Sequence, residues 1–429
     1  MWRTFKTVVM VVALGAQVIV APVATTAVEP TANQQGPNTL VFGMSTGLVY
    51  DSNVMNSQPP VSDVQYTLYP MAALRLDRPK WNTTISMTPG FSYSSANLPE
   101  YQALSLTANA RLQVHPTGKL SLDFTNFLVS SLNPFQSLSV GKEGVPASGS
   151  ANLNYLPRTN ESASAAALFN LSPRTSLNAV AAYNFLSYQS NPNIPPVTQP
   201  FQESSSGQVT LGVSHTLNPR YSGTLQYAGQ IIDAGQGLVR TVGHSVQFGI
   251  VGAPTARLKL SAFGGPQYVR NTYASVLDQT GVGNELSQQG PVWTWVGSFS
   301  ISETFGRNQL SVRASKQLGT GNQYQGAARQ SAIEGDYTRE LAGNAKLIVF
   351  VSYNGNSPVT VARSAPRLSN NYSSSGAIFS KTFAGRWKAS CSYWYLFQNR
   401  PASAVQLYSG NHNRVAFSLS YSLGKPIRQ

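Results

Sequence analysis

From about residue 39 onward, hydrophobic and polar residues alternate along the chain with a period of two. In ALSLTANARLQV, residues 103–114, Leu104 and Leu112 share one face with the apolar residues between them, and Arg111 shares the other with Ser, Thr, Asn and Gln. The next segment, KLSLDF, alternates in the same way after the turn HPTG. Successive side chains of a β-strand point to opposite faces, so the pattern predicts two antiparallel strands joined by a tight turn.

The same unit recurs along the chain. Eight tight turns carry Pro, Gly or Asn next to small or charged residues: LDRPKW, HPTG, SPRT, NPRY, APTA, FGRN, LAGN and FAGR. Nine longer stretches rich in Gly, Pro, Asn and Ser lie between them: 51–63, 94–100, 130–149, 188–201, 231–239, 270–291, 318–325, 354–369 and 398–411. This spacing predicts about 18 strands, with 14 or 16 as alternatives, and both chain ends on the side of the tight turns.

The residue types on the two faces favour a membrane barrel over a soluble sandwich or propeller. Charged residues make up 11% of the chain, against about 25% in soluble domains. Predicted strands of about 9 to 12 residues match a tilted crossing of the hydrocarbon layer. Aromatic residues near strand ends resemble interfacial girdles: Tyr50, Trp81, Tyr93, Tyr183, Tyr227, Trp293, Trp295, Trp387, Tyr393 and Tyr395. We therefore expect an all-β, transmembrane antiparallel β-barrel with short periplasmic turns and long outer loops.

The N-terminus is typical of an exported protein. Arg3 and Lys6 precede the apolar stretch TVVMVVALGAQVIVA, and small residues follow it. We predict a secretory signal peptide over 1–27, with an uncleaved anchor as the alternative. A short periplasmic segment over 28–38 and one barrel domain over 39–429 would follow, placed in the outer membrane of a Gram-negative-type bacterium. The single cysteine, Cys391, excludes an intramolecular disulfide.

Because side chains alternate between the two faces of a strand, the odd or even position of a residue (its parity) shows which charged residues face the inside of the barrel. The net charge is +14, but Lys and Arg are scattered singly, which does not favour a nucleic-acid partner. We predict Arg75, Arg111, Arg313, Lys346 and Arg414 as pore-lining basic residues, and Asp123, Glu334 and Asp336 as pore-lining acidic residues. The polar face also holds Lys119, Arg257, Lys259, Lys388 and Asp77, which makes basic residues about twice as numerous as acidic ones. Such a lumen favours anions or anionic sugars. Lys119, Arg257 and Lys388 lie close enough to tight turns to be rim residues instead.

The four histidines give little support for a catalytic site or a metal site. His115, His215, His244 and His412 show no metal-type spacing and no evident triad. His244 shares a face with Val246 and Phe248, and His412 lies at the loop edge of the last strand. We predict no cofactor, no metal and no catalytic residue, and a membrane-embedded hydrolase using His244 and His412 is the weakest of three functional hypotheses. The segments 130–149 and 270–291 are the best candidates for loops that narrow the lumen.

The stretch GLVYDSNV, residues 47–54, resembles the first-strand signature of outer-membrane β-barrel porins of the BBP2 kind. Tyr50, Asp51, Asn53 and Val54 match its Tyr-Asp-x-Asn-hydrophobic pattern, and Ser52 stands where an acidic residue is common. The resemblance implies a context of polysaccharide export or surface handling and transfers no site residue. From the residues themselves, Asp51 and Asn53 form either a cation site or, as we favour, an Asx-type turn that ends the first strand.

The last strand, NRVAFSLSYSLGKPIRQ, places Val415, Phe417, Leu419, Tyr421 and Leu423 on the lipid face. It runs past the terminal aromatic that barrels of this class usually have, so either Tyr421 serves in an extended signal or the tail folds back. The expected partners are outer-membrane lipid and lipopolysaccharide, the barrel-assembly machinery and other copies of the chain. Two functions stay open: a passive porin for small anionic or saccharide solutes, and a plugged or structural barrel that serves polysaccharide export or anchors the envelope.

Overall fold

Eighteen β-strands make up the described part of the chain. The computed structural model describes residues 38–53, 60–95, 103–131, 158–188, 203–234, 239–273, 290–320, 327–358, 370–399 and 410–426. The strands are β1 (Asn38–Asp51), β2 (Asp63–Arg78), β3 (Trp81–Ser94), β4 (Ala103–Thr117), β5 (Leu120–Ser131), β6 (Arg158–Ser172), β7 (Thr175–Tyr188), β8 (Ser204–Asn218), β9 (Tyr221–Ala234), β10 (Val239–Gly252), β11 (Leu258–Tyr273), β12 (Val292–Phe305), β13 (Asn308–Thr320), β14 (Ala327–Leu341), β15 (Ala345–Pro358), β16 (Asn370–Phe383), β17 (Trp387–Asn399) and β18 (Gly410–Pro426).

Antiparallel pairing of consecutive strands closes the sheet into a barrel. Each strand pairs with the next, and β18 pairs with β1 in a register that runs from Thr39↔Pro426 to Asp51↔Arg414. The predicted count of 18 is therefore confirmed, and the described ends at Asn38 and Pro426 lie together on the side of the tight turns, as predicted. Up to Pro426, the GKPIRQ tail continues β18 and does not fold back.

The outer face of the barrel is apolar. On β1, the outward residues Phe42, Met44, Leu48 and Tyr50 are 44–51% exposed, whereas the inward residues Val49 and Asp51 are buried. The other strands repeat this alternation, and the register places every predicted girdle aromatic and the apolar residues of β18 outward. So large an exposed apolar surface requires lipid around it. Among the residues that the structure describes, no helix is long and apolar enough to cross a membrane.

All eight predicted tight turns are present at one end of the barrel. In four of them a side-chain oxygen of Thr117, Ser172, Asn218 or Thr255 accepts the backbone N–H groups two and three residues ahead, at 2.9–3.3 Å. These bonds close Asx and ST turns, which explains why this short motif recurs. In FGRN and LAGN, Gly306 and Gly343 supply the positive φ that the turn needs, at 62° and 71°.

At the other end of the barrel, β13 leaves the wall. Its pairing with β12 stops at Gly297↔Lys316, although β12 continues to Val292. Its pairing with β14 goes on to Thr320↔Ala327. The free end of β13 instead approaches β8 and β9, which lie five and four strands away, respectively. The end of β13, Gln317–Thr320, therefore leaves the wall for the lumen, while its β14 partners, Ala327–Gln330, stay paired with β15 up to Ala328↔Pro358. We call these two segments the β13–β14 hairpin end.

Several sequence predictions fall on residues that the structure does not describe. These are the signal peptide over 1–27, the segment over 28–37, and nearly all of the two candidate constricting loops, 130–149 and 270–291. They remain predictions. Asn38, which we had assigned to the periplasmic segment, is the first residue of β1.

Candidate functional site

The strand register places the predicted pore-lining residues on the inner face. Arg75 and Asp77 alternate with the outward residues of β2, and Arg111 lies opposite the inward Thr84. The same parity holds for the remaining residues of the set and for two residues close to the turns: Asp123, Arg313, Glu334, Asp336, Lys346, Arg414, Lys259 and Lys388. Lys119 and Arg257 lie in tight turns and do not line the wall.

Arg111 forms the best-defined ion pair of the inner wall. Its Nε donates to both carboxylate oxygens of Asp123 at 3.1 and 3.2 Å, and its Nη2 donates to the same group. Gln113 adds a third donor to Asp123, at 2.8 Å. A carboxylate held by two donor groups fixes the guanidinium in place, so Arg111 does not present a free positive charge to the lumen.

Every other predicted basic residue also has an acid beside it. Arg75 and Asp77 approach to 3.8 Å on β2. Across neighbouring strands, the directly opposite partners are Arg313 and Glu334, Lys346 and Glu340, and Arg414 and Asp51. Directly opposite residues on one face have Cβ atoms about 5 Å apart, near enough for opposite charges to attract. The inner wall therefore carries pairs of opposite charge and no ring of one sign.

The expected twofold excess of basic residues is absent from the described inner face. Among wall residues whose side chains the structure describes, there are seven basic ones (Arg75, Arg111, Lys259, Arg313, Lys346, Lys388 and Arg414) and seven acidic ones (Asp51, Asp63, Asp77, Asp123, Glu334, Asp336 and Glu340). Arg329, opposite Leu318 on the hairpin end, adds one basic residue that is not part of the wall. Asp51, Asp63 and Glu340 are not among the pore-lining acids predicted from sequence. Asp51 ends β1, Asp63 begins β2 and Glu340 is the next-to-last residue of β14. At strand ends, alternation does not distinguish a strand residue from a turn residue.

One side of the lumen has no charge along most of its length. No described residue on the inner faces of β7, β8, β9, β10 and β12 is charged. These faces carry amides and hydroxyls, including Gln208, Gln226, Gln230, Gln247 and Ser245. Gln226 donates to Gln247 at 3.3 Å, and Gln247 donates to Ser245 at 3.3 Å. We call this sector the amide wall; it offers donors and acceptors to a polar solute without selecting its charge.

The β13–β14 hairpin end packs against the amide wall. Leu318 is 6% exposed and forms a buried cluster with Ile232 of β9 and Val269 of β11. Gln230 donates to the backbone carbonyl of Leu318 at 3.4 Å, a contact available because that carbonyl no longer faces β12. Gly243 gives the Leu318 side chain room, since a Cβ atom there would lie 3.0 Å from Leu318 Cδ2. The hairpin end thus narrows the lumen from within the chain's own sheet.

Aromatic side chains fill part of the opposite side. Phe350 is 2% exposed on the inner face of β15, and its ring meets Trp394 edge-on at a centroid distance of 5.8 Å. The Arg414 guanidinium lies 5.8 Å from the Trp394 ring centroid, a cation–π distance. Gly376 makes this packing possible, because a Cβ atom there would come within 2.8 Å of the Phe350 ring. Sequence parity placed Arg414 inward but gave no sign that an aromatic ring would hold it.

The motif that opens the barrel forms a buried polar cluster at the outer end of the inner wall. Asp51 Oδ1 accepts the backbone N–H of Asn53 at 2.9 Å, which confirms the predicted Asx turn. The same oxygen lies 3.6 Å from His412 Nδ1, and both residues are at most 2% exposed. Asp63 lies opposite Asp51 and accepts the hydroxyl of Ser94 at 2.7 Å. Asp51 and Asn53 therefore anchor the seam where the last strand meets the first.

The four histidines take separate positions. His244 faces outward, as predicted, and its Nδ1 lies 2.7 Å from the Tyr227 hydroxyl. His215 contacts the Thr175 hydroxyl at 3.0 Å, and His115 lies beside the β4–β5 turn. His412 lies at the loop edge of β18, as predicted, and its side chain is buried on the inner face. Within the described ranges, no group of three or more His, Cys, Asp and Glu side chains could hold a metal ion.

No protein-family model matches the chain, and no curated protein matches it. Solved structures of similar fold include OccK2 (OpdF) of Pseudomonas aeruginosa, with a TM-score of 0.44 and 12% identity over 90% of this chain and 98% of that one. OccAB2 of Acinetobacter baumannii has a TM-score of 0.45 and 12% identity, covering 91% of this chain and 100% of that one. A BenF-like porin from Pseudomonas fluorescens Pf-5 has a TM-score of 0.46 and 11% identity, covering 90% and 99%. The strand pairing of this chain itself establishes the 18-stranded barrel.

Proposed function

We propose that this protein is an outer-membrane diffusion channel for small polar solutes, and that neutral saccharides pass through it as readily as anionic ones of the same size. The observation that carries the proposal is the inner wall of the 18-stranded barrel, in which acidic and basic residues balance and an uncharged amide wall faces them. Barrels of 16 to 18 strands are wide enough for an aqueous channel. Catalysis has no part in this proposal.

The orientation follows the common rule for such barrels, with tight turns towards the periplasm and long loops outside. A solute would then enter at the end of the barrel where Asp51, Asp63 and His412 form their buried cluster, and reach the hairpin end packed on the amide wall. Hydroxyl groups of a sugar can exchange hydrogen bonds with Gln and Ser side chains as they exchange them with water. Paired charges such as Arg111 and Asp123 give no strong preference for either ion sign.

The second candidate is a plugged or structural barrel that serves polysaccharide export. The inward position of the β13–β14 hairpin end favours it, because a hairpin inside the lumen can close the path as well as narrow it. In this case the amide wall would still face the lumen, but no solute would cross.

Liposome swelling separates the two candidates. Liposomes containing the refolded barrel would be diluted into isotonic solutions of a neutral pentose, a hexose, a hexuronate and a trisaccharide. We expect swelling that slows as the sugar becomes larger, with similar rates for the hexose and the hexuronate. Protein-free liposomes give the leak rate. Swelling no faster than this leak in every sugar would exclude the channel and favour the plugged barrel.

A further inference from the structure

A ring of cations surrounds the tight-turn end of the barrel. Between the two strands of each tight turn, seven of the eight turns hold an exposed Lys or Arg and none of the eight holds an acidic residue: the cations are Lys80, Lys119, Arg174, Arg220, Arg257, Arg307 and Arg386. We call these seven residues the cationic rim. Since the described inner wall is balanced, the rim accounts for much of the net charge of +14.

The rim cations occupy equivalent positions. Each is the last residue of its turn, directly before the next strand. The backbone carbonyl of each accepts an N–H from the following hairpin, at 2.7–3.0 Å, and Asn344 does the same in the eighth turn. Because neighbouring turns are tied together in this way, the cations are held at one height around the barrel. The bond belongs to the barrel backbone, since the uncharged Asn344 makes it too, and it sets the common height from which the seven side chains extend.

An apolar collar lies directly above the rim on the outer face. The residue after each cation points outward, and in five of the seven turns it is Trp, Leu or Tyr: Trp81, Leu120, Tyr221, Leu258 and Trp387. Phe305 and Phe383 come just before their turns and are 39% and 42% exposed. A cation beside an outward aromatic residue lies at the boundary between hydrocarbon and headgroups, where its aliphatic stem can rest on apolar surface.

We propose that the cationic rim binds the phosphate groups of anionic phospholipids in the leaflet that meets the tight-turn end. The height of the ring, its single sign of charge and the apolar collar together match a lipid with an anionic headgroup above its acyl chains. An acidic soluble protein would complement the charge but would leave the collar without a function. This inference requires the barrel to sit in a membrane, but it does not depend on whether the lumen conducts.

Two tryptophans next to rim cations can serve as fluorescent probes of the lipid around the rim. Trp81 follows Lys80 and Trp387 follows Arg386, so quenching of their fluorescence measures which lipid touches these two cations. The parent for this experiment is Trp293→Phe/Trp295→Phe/Trp394→Phe, which removes the outward tryptophans of the opposite end and the inward tryptophan of β17. It would be reconstituted in vesicles that contain brominated phosphatidylglycerol or brominated phosphatidylcholine. A juxtamembrane cation favours an anionic lipid by about 1 kcal/mol, which predicts roughly fivefold stronger association of phosphatidylglycerol.

Two double variants test whether the preference comes from the rim. In Lys80→Gln/Arg386→Gln we expect the ratio of association constants to fall to about one, as it should for the parent in molar salt. The matched control, Arg240→Gln/Arg270→Gln, loses the same charge at the other end of β10 and β11 and should keep the parent ratio. Equal association of the two lipids with the parent, or a preference that survives in Lys80→Gln/Arg386→Gln, would overturn the proposal. If that double variant fails to fold, the loss or survival of the preference in molar salt decides.

Discussion

At the residue scale, the inner wall is defined by which charge lies next to which. Arg111 shares Asp123 with Gln113, and Asp51 joins a turn amide to the ring of His412. Parity alone identifies the face of each residue but not its neighbour, since the neighbour depends on the register of a second strand. The balance of charge in the lumen follows from these neighbours.

Breaking one pair should therefore change ion selectivity in a direction set by the residue removed. Asp123→Asn leaves Arg111 without its counter-charge and should raise the anion-to-cation permeability ratio, whereas Arg111→Gln should lower it. We expect changes of roughly twofold to fivefold, because an unpaired charge contributes a local potential on the order of kT. Reversal potentials in a salt gradient give the ratio. Asp233→Asn, which removes an acid from the outward face beside Arg240, is the matched control and should change nothing. Shifts of the same sign in both lumen variants would contradict the pairing.

At the element scale, β13 is the strand that departs from the simple barrel. Sequence alternation and turn chemistry predicted its existence and its start at the FGRN turn, but the loop expected over 318–325 begins later, because β13 continues to Thr320. They could not predict that β13 separates from β12 after Lys316, because alternation is the same whether a strand lies in the wall or inside the lumen. Leu318 has outward parity like Leu310, yet it is buried against Ile232 and Val269.

Weakening this contact should widen the channel. Leu318→Ser removes about 2 kcal/mol of stabilisation by apolar burial. This loss would change the equilibrium constant between the docked and undocked positions of the hairpin end by roughly thirtyfold in favour of the undocked one. We expect a larger or more variable single-channel conductance. Leu310→Ser is the matched control on the same strand; Leu310 is 44% exposed on the lipid face, so its loss should leave the conductance unchanged. Identical conductance in Leu318→Ser and the parent would show that the hairpin end does not limit the path.

Most of the fold was predictable from sequence because each structural device repeats. Period-two alternation defined the strands, and the Thr-Gly-Lys, Ser-Pro-Arg and Asn-Pro-Arg turns defined the ends between them. Asp51 and Asn53 were correctly predicted as a turn because the capping bond is local. The lumen was predicted less completely. Its aromatic packing around Trp394 and its charge pairs form mostly between neighbouring strands and depend on the register of those strands, which no local pattern reports.

At the scale of the whole molecule, charge is divided by location. The described inner wall is balanced, the exterior is mostly apolar with a few charges such as Arg240 and Asp233, and the tight-turn end carries a ring of one sign. A net charge of +14 alone favours an anion-selective pore, but the structure places much of that charge outside the solute path. The same separation lets lipid contact and solute passage be tested independently.

The central claim is that the barrel encloses an open path with little preference for ion sign. Single-channel recording of the purified protein in a planar bilayer tests it most directly, with a salt gradient across the membrane. We predict discrete, repeatable conductance steps and a reversal potential near zero. No conducting state, under conditions in which a known porin conducts, would contradict the account.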